Sequence, residues 1–315
     1  MKKILKISLF IIVFCLLLIL FSNSKVQAVV ETITTVQELQ KVMGATEYST
    51  IDGTTLKITD NFTWTLTDDV YIKITELIID FNGKEIKIEN STTNKGINII
   101  EGKVTLKDSQ GETGGIYCSG HFIDLDYNTE LVIENGQYIA NGELFQNNGV
   151  IQNNGGLITI NNGIFKCMEL YDLFQICSGK IIINNGNFEG KGGIINLTRH
   201  SSQEEISSEL VINDGKFTGN GASVLELYQG ANKLNVKLNG GEFYSSKACA
   251  ILLSHLAHTG DDPTNDAILY LDGCEISSDT SCLQFLYPVG DWNISIVNCS
   301  MSVVNPWTSC RSNLC

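Results

Sequence analysis

The sequence predicts an all-β protein whose chain winds into a parallel β-helix solenoid, and three observations support this prediction. A motif of the form ELVINDGKFTG (Glu209–Gly219) recurs from the middle of the chain to its end. Each copy joins a short run of alternating apolar residues to a sharp bend, which is followed by a large apolar residue. The small residue of the bend recurs at intervals between 23 residues (Gly163 to Gly186) and 33 residues (Gly241 to Cys274). A drifting period of this size is typical of a solenoid, in which one repeat forms one coil.

Within each motif, the alternating residues predict a strand with one buried face, and the small residue allows the left-handed backbone of the bend. The small position falls at Gly136, Gly163, Gly186, Gly215, Gly241, Cys274 and Cys299. The large residue two positions later points back inside, which predicts an internal stack of rings at Tyr138, Phe165, Phe188, Phe217 and Phe243. One position before the small residue, a second ladder of side-chain amides is predicted at Asn135, Asn162 and Asn185.

A run of β-hairpins is the alternative fold, because Asn-Gly between apolar residues is also the strongest hairpin signal. Hairpins would leave a second apolar run in every repeat without a role, such as DLFQI (Asp172–Ile176) or VLELY (Val224–Tyr228). A coil of two or three parallel strands uses both runs, so the sequence favours the β-helix.

The first 28 residues have the composition of a secretory signal peptide. Lys2, Lys3 and Lys6 precede the apolar stretch Ser8–Phe21, and residues 26–28 supply a cleavage site with a small final residue. We expect the mature chain to be exported, either secreted or held at the cell surface, with no membrane insertion after cleavage. An uncleaved anchor is the alternative. No later stretch is long and apolar enough to span a membrane.

The remaining chain divides into three parts. Residues 29–50 form an N-terminal cap, in which Thr35 and Glu38 have the spacing of a capping box and begin a short amphipathic helix. Such a helix covers the open end of the first coil, whose apolar interior would otherwise meet water. Residues 51–304 form a β-helix of about nine coils. Residues 305–315 form a C-terminal tail, and we expect the protein either to be released or to continue into further repeats or an anchor.

The mature chain is strongly acidic. The formal net charge of the whole sequence is −14, and removing the four lysines among the first 28 residues gives −14 − 4 = −18. An acidic surface repels phosphate backbones and anionic lipids, so we expect no nucleic-acid partner.

Nine cysteines remain after residue 28, and none has a spacing suited to zinc. Most of them are predicted to be small buried apolar residues. Cys274 and Cys299 hold the small position of successive motifs, so a disulfide between neighbouring coils is the alternative for these two.

A helix opens the mature chain, and the strands LIIDFNGKEI (Leu77–Ile86) and VTLKDS (Val104–Ser109), with GGI shortly after, follow it. This order resembles the start of right-handed parallel β-helix (pectin-lyase-like) repeat proteins of bacterial surfaces, and the resemblance covers nearly the whole mature chain. It implies right-handed coils. It also implies a superfamily that contains polysaccharide lyases, glycoside hydrolases and adhesins without catalysis.

The catalytic motifs that the resemblance implies are incomplete. Lyases of this kind use clustered aspartates on strands as Ca²⁺ ligands with Arg or Lys as base, whereas the strands here carry isolated acids, and Arg199 is the single arginine within residues 51–304. Hydrolases of this kind combine an Asp pair with Gly-His-Gly and Arg-Ile-Lys, and only the pair Asp261 and Asp262 is present. The sequence therefore favours a module without catalysis, with a polysaccharide lyase or glycoside hydrolase as the alternative.

Two linkers between successive coils, residues 198–209 and 256–267, are long and polar. Insertions at one register of a solenoid emerge on one side, which is often the binding side. Together with a strand end and an aromatic residue at a coil edge, the linkers predict a binding site that consists of Arg199, His200, His255, His258, Asp261, Asp262, Asp266 and Trp292.

We expect the partner to be a glycan or another cell-surface ligand, bound by an adhesive or structural module. No cofactor is expected. A loose Ca²⁺ site built from Asp261, Asp262 and Asp266 is the alternative, because carboxylate oxygens are the ligands that Ca²⁺ prefers.

Overall fold

The computed structural model describes residues 29–43, 52–90, 96–119, 122–140, 151–170, 172–197, 207–229, 233–255, 267–286 and 292–304. Within these ranges the chain is a parallel β-solenoid with one short helix, and its strands pair in parallel from coil to coil. This confirms the predicted all-β solenoid and contradicts the hairpin alternative. The predicted signal peptide and C-terminal tail lie outside the described residues. In the part of the chain that is described, no helix is long and apolar enough to cross a membrane.

The helix, α1, spans Val36–Met43. Ten strands form sheet B, namely β3 (Phe62–Leu66), β5 (Glu85–Asn90), β7 (Gly115–Cys118), β10 (Gln137–Ala140), β12 (Ile164–Cys167), β14 (Asn187–Gly190), β17 (Lys216–Gly219), β20 (Glu242–Ser245), β23 (Glu275–Ser278) and β26 (Ser300–Val303). The other strands form sheet A, namely β1 (Val29–Ile33), β2 (Asp52–Ile58), β4 (Val70–Asp80), β6 (Ile97–Lys107), β8 (Ile123–Leu125), β9 (Thr129–Ile133), β11 (Ile151–Ile160), β13 (Phe174–Ile183), β15 (Ile195–Leu197), β16 (Ser208–Ile212), β18 (Leu225–Gln229), β19 (Leu234–Leu238), β21 (Ile251–His255), β22 (Ala267–Asp272), β24 (Leu283–Leu286) and β25 (Trp292–Val297).

Sheet A has two segments, which each coil crosses in turn before it reaches sheet B. In four coils a single long strand (β4, β6, β11 or β13) covers both segments, and the pairing of these strands shifts register in the middle. In the later coils the segments are separate strands, such as β15 and β16. We call the part that contains β8, β15, β18, β21 and β24 segment A1, and the part that contains β9, β16, β19, β22 and β25 segment A2.

The core lies between the two sheets and contains a continuous stack of rings. Alternation along each strand turns every second side chain inward, as at Leu210 and Ile212 of β16, both fully buried. The rings stack with centroid distances of 4.9, 4.8, 4.6 and 4.8 Å and interplanar angles of 14°, 9°, 2° and 4° along the series Tyr138, Phe165, Phe188, Phe217 and Phe243. The predicted ring stack is therefore confirmed.

The small residue of the motif is needed for two separate reasons, which Gly215 illustrates. Its φ of 130° lies in a region that side chains rarely adopt. A Cβ atom at this position would also lie 3.1 Å from the ring of Phe217 and 3.1 Å from the carbonyl oxygen of Gly186. The motif thus combines glycine with the aromatic residue that follows it because the ring occupies the space of the missing side chain.

A ladder of side-chain amides runs beside the bends, one residue earlier than predicted. Each amide nitrogen donates to an oxygen of the previous coil, from Asn239 to Asn213 (2.8 Å), from Asn213 to Asn184 (2.7 Å), from Asn184 to Asn161 (2.7 Å) and from Asn161 to Glu134 (2.8 Å). These residues directly follow the strands of segment A2, where in-register neighbours are about 4.8 Å apart.

The predicted ladder at Asn135, Asn162 and Asn185 is therefore wrong. These side chains lie inside the bend, where nearby backbone groups compete for them. Asn185 accepts a hydrogen bond from the next backbone N–H at 2.8 Å. Asn135 exchanges two hydrogen bonds with the backbone of Asp108, at 2.7 and 3.0 Å. Asn162 donates to the carboxylate of Glu112 at 2.8 Å.

Helix α1 begins with the predicted capping box. The backbone N–H of Glu38 donates to the hydroxyl of Thr35 (3.3 Å), and the Glu38 carboxylate accepts from the backbone N–H of Thr35 (3.2 Å) and of Thr34 (2.7 Å). Leu39 is 1% exposed and belongs to the core cluster. The helix thus packs against the core at the N-terminal end of the solenoid.

The described cysteines are free thiols, and most of them are buried. The buried members are Cys118, Cys167, Cys177, Cys249 and Cys274, whereas Cys282 and Cys299 are half-buried. For the buried five, the prediction of small buried apolar residues is confirmed.

Candidate functional site

The predicted loop site lies mostly outside the residues that the structure describes. The undescribed members of the predicted site are Arg199, His200, His258, Asp261, Asp262 and Asp266. The last three are the predicted ligands of the alternative Ca²⁺ site. The strands that lead into the two linkers are described, since β15 ends at Leu197 and β21 ends at His255. Both strands pair in parallel with β18. The two linkers therefore start at the same end of segment A1, on either side of β18.

Trp292 lies at the start of β25, in register with Ala267 of β22. Ala267 is fully buried, and Trp292 is half-buried and packs against the core cluster. The side chain of Trp292 thus continues an inward-facing column of segment A2.

The outer face of segment A1 carries a column of polar side chains in register, which we call the A1 column. Successive strands pair at these positions, and the column consists of Asn98, Asp124, Gln152, Gln175, Asn196 and Glu226. It forms because each strand alternates, with inward-facing residues on either side of the polar one, and these are isoleucine, leucine or phenylalanine except at Asn153 beside Gln152. The next coil has Leu252 at this position, so the polar part of the column ends there.

A cluster of acidic and hydroxyl groups lies at the end of the A1 column, and we call Asp172, Asn196, Glu226 and Tyr228 the acid cluster. Asn196 donates to the Asp172 carboxylate (2.9 Å), and the Tyr228 hydroxyl donates to the Glu226 carboxylate (3.1 Å). Asn196 and Glu226 are neighbours in register on adjacent strands. Asp172, Asn196 and Glu226 thus lie on three consecutive coils, with the amide on the coil between the two carboxyl groups.

Burial raises the pKa of each of the three titratable side chains of the acid cluster, Asp172, Glu226 and Tyr228. It raises the pKa of Asp172, although hydrogen bonds from Asn196 and from the backbone N–H of Gly193 oppose this rise. Burial also raises the pKa of Glu226, with a further rise from the negative charge of Asp172. The pKa of Tyr228 is raised by burial and by the charge of Glu226 beside it. Both carboxyl groups therefore hold a proton to higher pH than free carboxyl groups do.

Two amide oxygen atoms of the A1 column, Oε1 of Gln152 and Oδ1 of Asn196, are buried without a hydrogen-bond partner in the described part of the chain. A buried acceptor without a donor costs about 1–3 kcal/mol.

This arrangement suits recognition through hydrogen bonds, and its carboxyl pair has one property of an acid–base site. Amide and carboxylate oxygens accept from hydroxyl groups, and a carboxyl group with a raised pKa can serve as a proton donor near neutral pH. Among the residues with a described placement, no group of three or more His, Cys, Asp or Glu side chains is arranged to hold a metal ion.

The sequence prediction missed Asp172, Glu226 and Tyr228 as members of a site. Each is a polar residue within the second apolar run of its repeat, in DLFQI and VLELY. The sequence signal for this site was a polar residue at the same position of the second apolar run in successive repeats. Parallel coils bring such positions into one column.

The fold places the protein in the class of parallel β-solenoids. No family model matches the chain, and no curated protein matches it. A solved chain named "L. reuters 100-23 SRRP" is similar to it with 14% sequence identity and a TM-score of 0.35, over 89% of this chain and 100% of that one.

Proposed function

We propose that this protein is an exported β-solenoid of the cell surface, and that it binds a hydroxyl-rich glycan on the outer face of segment A1. The observation that carries the proposal is the A1 column, in which amide and carboxyl side chains repeat in register on successive coils.

A glycan fits this face for three physical reasons. Its hydroxyl groups donate and accept hydrogen bonds, and the A1 column offers amide and carboxyl side chains that can do the same. The column repeats with the coil spacing of about 4.8 Å, so an extended polymer of repeating units meets the same kind of side chain on successive coils. The acidic charge of the sequence disfavours phosphate-rich polymers but not neutral sugars.

The two polar linkers extend this site in the proposal. They start at the same end of segment A1, next to the strands that carry Asn196 and Glu226. Loops on a rigid scaffold commonly carry recognition residues, and Arg199, His200, Asp261 and Asp262 are polar groups of the required kind. Joint replacement of Asp261 and Asp262 by Asn is expected to weaken binding or leave it unchanged.

The test is a glycan array probed with the chain from residue 29 to 315, followed by calorimetry with the glycans that bind. We predict that Asn196→Leu weakens binding 5- to 150-fold, because it removes a hydrogen-bonding amide worth about 1–3 kcal/mol from the middle of the column without changing the side-chain size greatly. Asn235→Leu, the same change at an exposed position of segment A2, is the matched control and should leave the affinity unchanged. Failure of every glycan to bind, or equal losses in both variants, would contradict the proposal.

Glycoside hydrolysis is the second candidate, and the carboxyl pair of Asp172 and Glu226 favours it. Two carboxyl groups on either side of a sugar bond, one of them with a raised pKa, are the usual machinery of that reaction. The test is incubation with a panel of uronate and neutral polysaccharides, with and without Ca²⁺, while new reducing ends and unsaturated products are measured. Turnover that disappears in Glu226→Gln would establish the enzyme, whereas binding without turnover supports the module.

A further inference from the structure

Cys274 and Cys299 lie one above the other at the bends of the last two described coils. Glu275 of β23 pairs in register with Ser300 of β26, and the backbone N–H of Ser300 donates to the carbonyl oxygen of Cys274 at 2.9 Å. The two cysteines directly precede this pair. They therefore occupy equivalent places on neighbouring coils.

The bend changes at these two coils in a way that makes room for a thiol. In the earlier motifs a ring lies against the small residue, as Phe243 does against Gly241, where a Cβ would lie 3.2 Å from the ring. The large residue that follows Cys274 is Ile276, which has no ring. The left-handed backbone also moves one residue earlier, to Gly273 with a φ of 65°.

The same change recurs at Cys299. Its large partner is Met301, and the left-handed residue is Asn298, with a φ of 53°. Because the small position no longer needs a positive φ or an empty space, a side chain fits there in both coils. The replacement of glycine by cysteine at two successive motifs is thus permitted by one shared backbone change.

The two cysteines are neighbours on adjacent coils but differ in their surroundings. Cys274 is 1% exposed, and its Sγ lies 3.5 Å from the carbonyl oxygens of Gly240 and Asp272. Burial raises the pKa of the Cys274 thiol to about 12, and the charge and hydrogen bond of the Cys299 thiol add to this rise. Cys299 is half-buried, with its Sγ 3.2 Å from the carbonyl oxygen of Val297. Cys299 is thus the more accessible of the two thiols and the one that a reagent in solution attacks or is attacked by first.

We propose that Cys274 and Cys299 are a disulfide-forming pair that joins the last two described coils when the protein meets a small oxidising disulfide. In-register parallel strands are about 4.8 Å apart, which lies within the range of about 4.4–6.8 Å between the Cα atoms of disulfide partners. Both cysteines directly precede an in-register pair, so this spacing applies to them.

The reaction proceeds by two exchanges and consumes one molecule of the small disulfide, such as oxidised glutathione. The Cys299 thiolate attacks one sulfur, the S–S bond of the reagent breaks, and one small thiol leaves. Cys274 then loses its proton to water and attacks the Sγ of Cys299, which expels the second small thiol. Both cysteines are oxidised and the reagent is reduced to two thiols, so atoms and electrons balance.

The cross-link acts on the last described coil, at the C-terminal end of both sheets. Strands β25 and β26 each pair on one side only, with β22 and β23. A covalent bond across the bend holds this coil on its neighbour and closes a loop of about 25 residues, which opposes local opening.

The experiment treats the folded chain from residue 29 to 315 with oxidised glutathione and maps the linked peptides by mass spectrometry. Cleavage after Glu275 and after aromatic residues such as Tyr270, Trp292 and Trp307 leaves Cys274 and Cys299 on separate fragments that contain no other cysteine. A linked pair of these fragments that has lost two hydrogen atoms therefore identifies the bond. We expect this product to disappear in Cys274→Ser and in Cys299→Ser. It should persist in Cys249→Ser and Cys282→Ser, which change cysteines of other columns.

Hydrogen exchange gives a second measurement on the same samples. In the oxidised protein, amides of β26 should exchange on the order of 100-fold more slowly than in the reduced protein, because the closed loop resists opening. Cys299→Ser should abolish this difference. The proposal would be overturned if Cys274 remained a free thiol in the folded protein at saturating oxidant. It would also be overturned if Cys299 formed its disulfide with Cys282.

Discussion

Phe217 shows how strongly a single residue is tied to the repeat. Its ring is fully buried and lies between those of Phe188 and Phe243, with centroids 4.6 and 4.8 Å away. We predict that Phe217→Ala lowers the free energy of unfolding by about 3–5 kcal/mol through lost burial and a cavity between two rings. Urea denaturation measures the change. Phe285→Ala, at a ring that is 38% exposed, should cost clearly less, and equal losses would contradict the role of the stack.

The acid cluster makes stability depend on pH at the residue scale. Burial raises the pKa of Glu226 in the folded protein, so the folded state binds more protons than the unfolded state between the two pKa values. The free energy of unfolding therefore falls as pH rises through that interval. Asp172, Tyr228 and Cys249 face Glu226 and share this environment.

We predict that Glu226→Gln makes the protein more stable than the wild type at about pH 7 and removes part of the pH dependence, since glutamine stays neutral. At about pH 3, where the carboxyl group is protonated in both states, the difference should vanish. Denaturation midpoints across this range measure it. Glu275→Gln, at an exposed residue of sheet B, is the control. A variant with the wild-type pH slope would show that Glu226 is not the group responsible.

At the scale of elements, the part of the fold that could be predicted is the part that repeats by residue type. The strand of segment A2, the bend and the ring recur with similar letters, so the fold class, the buried faces and the ring stack follow from the sequence. The amide ladder was misplaced because asparagine occurs twice in a row, as at Asn161–Asn162 and Asn184–Asn185. Only the end of the strand decides which of the two amides stacks.

The candidate site was harder to predict, because segment A1 repeats in polarity and not in residue type. Gln175, Asn196 and Glu226 lie in one column but are three different residue types. Strand β15, which carries Asn196, has only three residues, Ile195–Leu197. Their alignment depends on the length of the linker before each strand, which varies from coil to coil. A shared column of this kind becomes visible only when the strand register is known.

Helix α1 is the element that covers the N-terminal end of the core. We predict that Leu39→Ala lowers the free energy of unfolding by about 2–4 kcal/mol, because Leu39 is 1% exposed and packs on the core. Gln37→Ala, at an exposed position of the same helix, should change it by less than about 0.5 kcal/mol. Urea denaturation distinguishes the two. If both variants match the wild type, the helix does not stabilise the solenoid.

At the scale of the whole described molecule, the two ends differ. The N-terminal end has α1 against its core, whereas the last coil exposes apolar side chains, with Ile296 at 47%, Met301 at 38% and Val304 at 56% exposed. Stability in a solenoid is a sum over coils and their contacts, so an end coil opens more readily than a central one.

Hydrogen exchange should reveal this gradient in the reduced protein. We predict that amides of β12, β14 and β17 exchange most slowly and that those of β24, β25 and β26 exchange first, because the latter strands pair on one side only within the described ranges. Exchange measured by mass spectrometry on peptides of each strand tests the order. Uniform protection along the chain would mean that the solenoid opens as one cooperative unit.

The pairing of each coil with its immediate neighbours also has a consequence for how such a chain evolves. Consider a duplicated segment of 23 residues, the distance from Gly163 to Gly186. Its ring, its amide and its strands would stack in register on those of the two neighbouring coils. No register elsewhere would change, and the molecule would grow by about 4.8 Å. Unequal recombination between the repeated stretches of the gene can therefore lengthen or shorten the protein in whole coils, without changing the packing of the coils that remain.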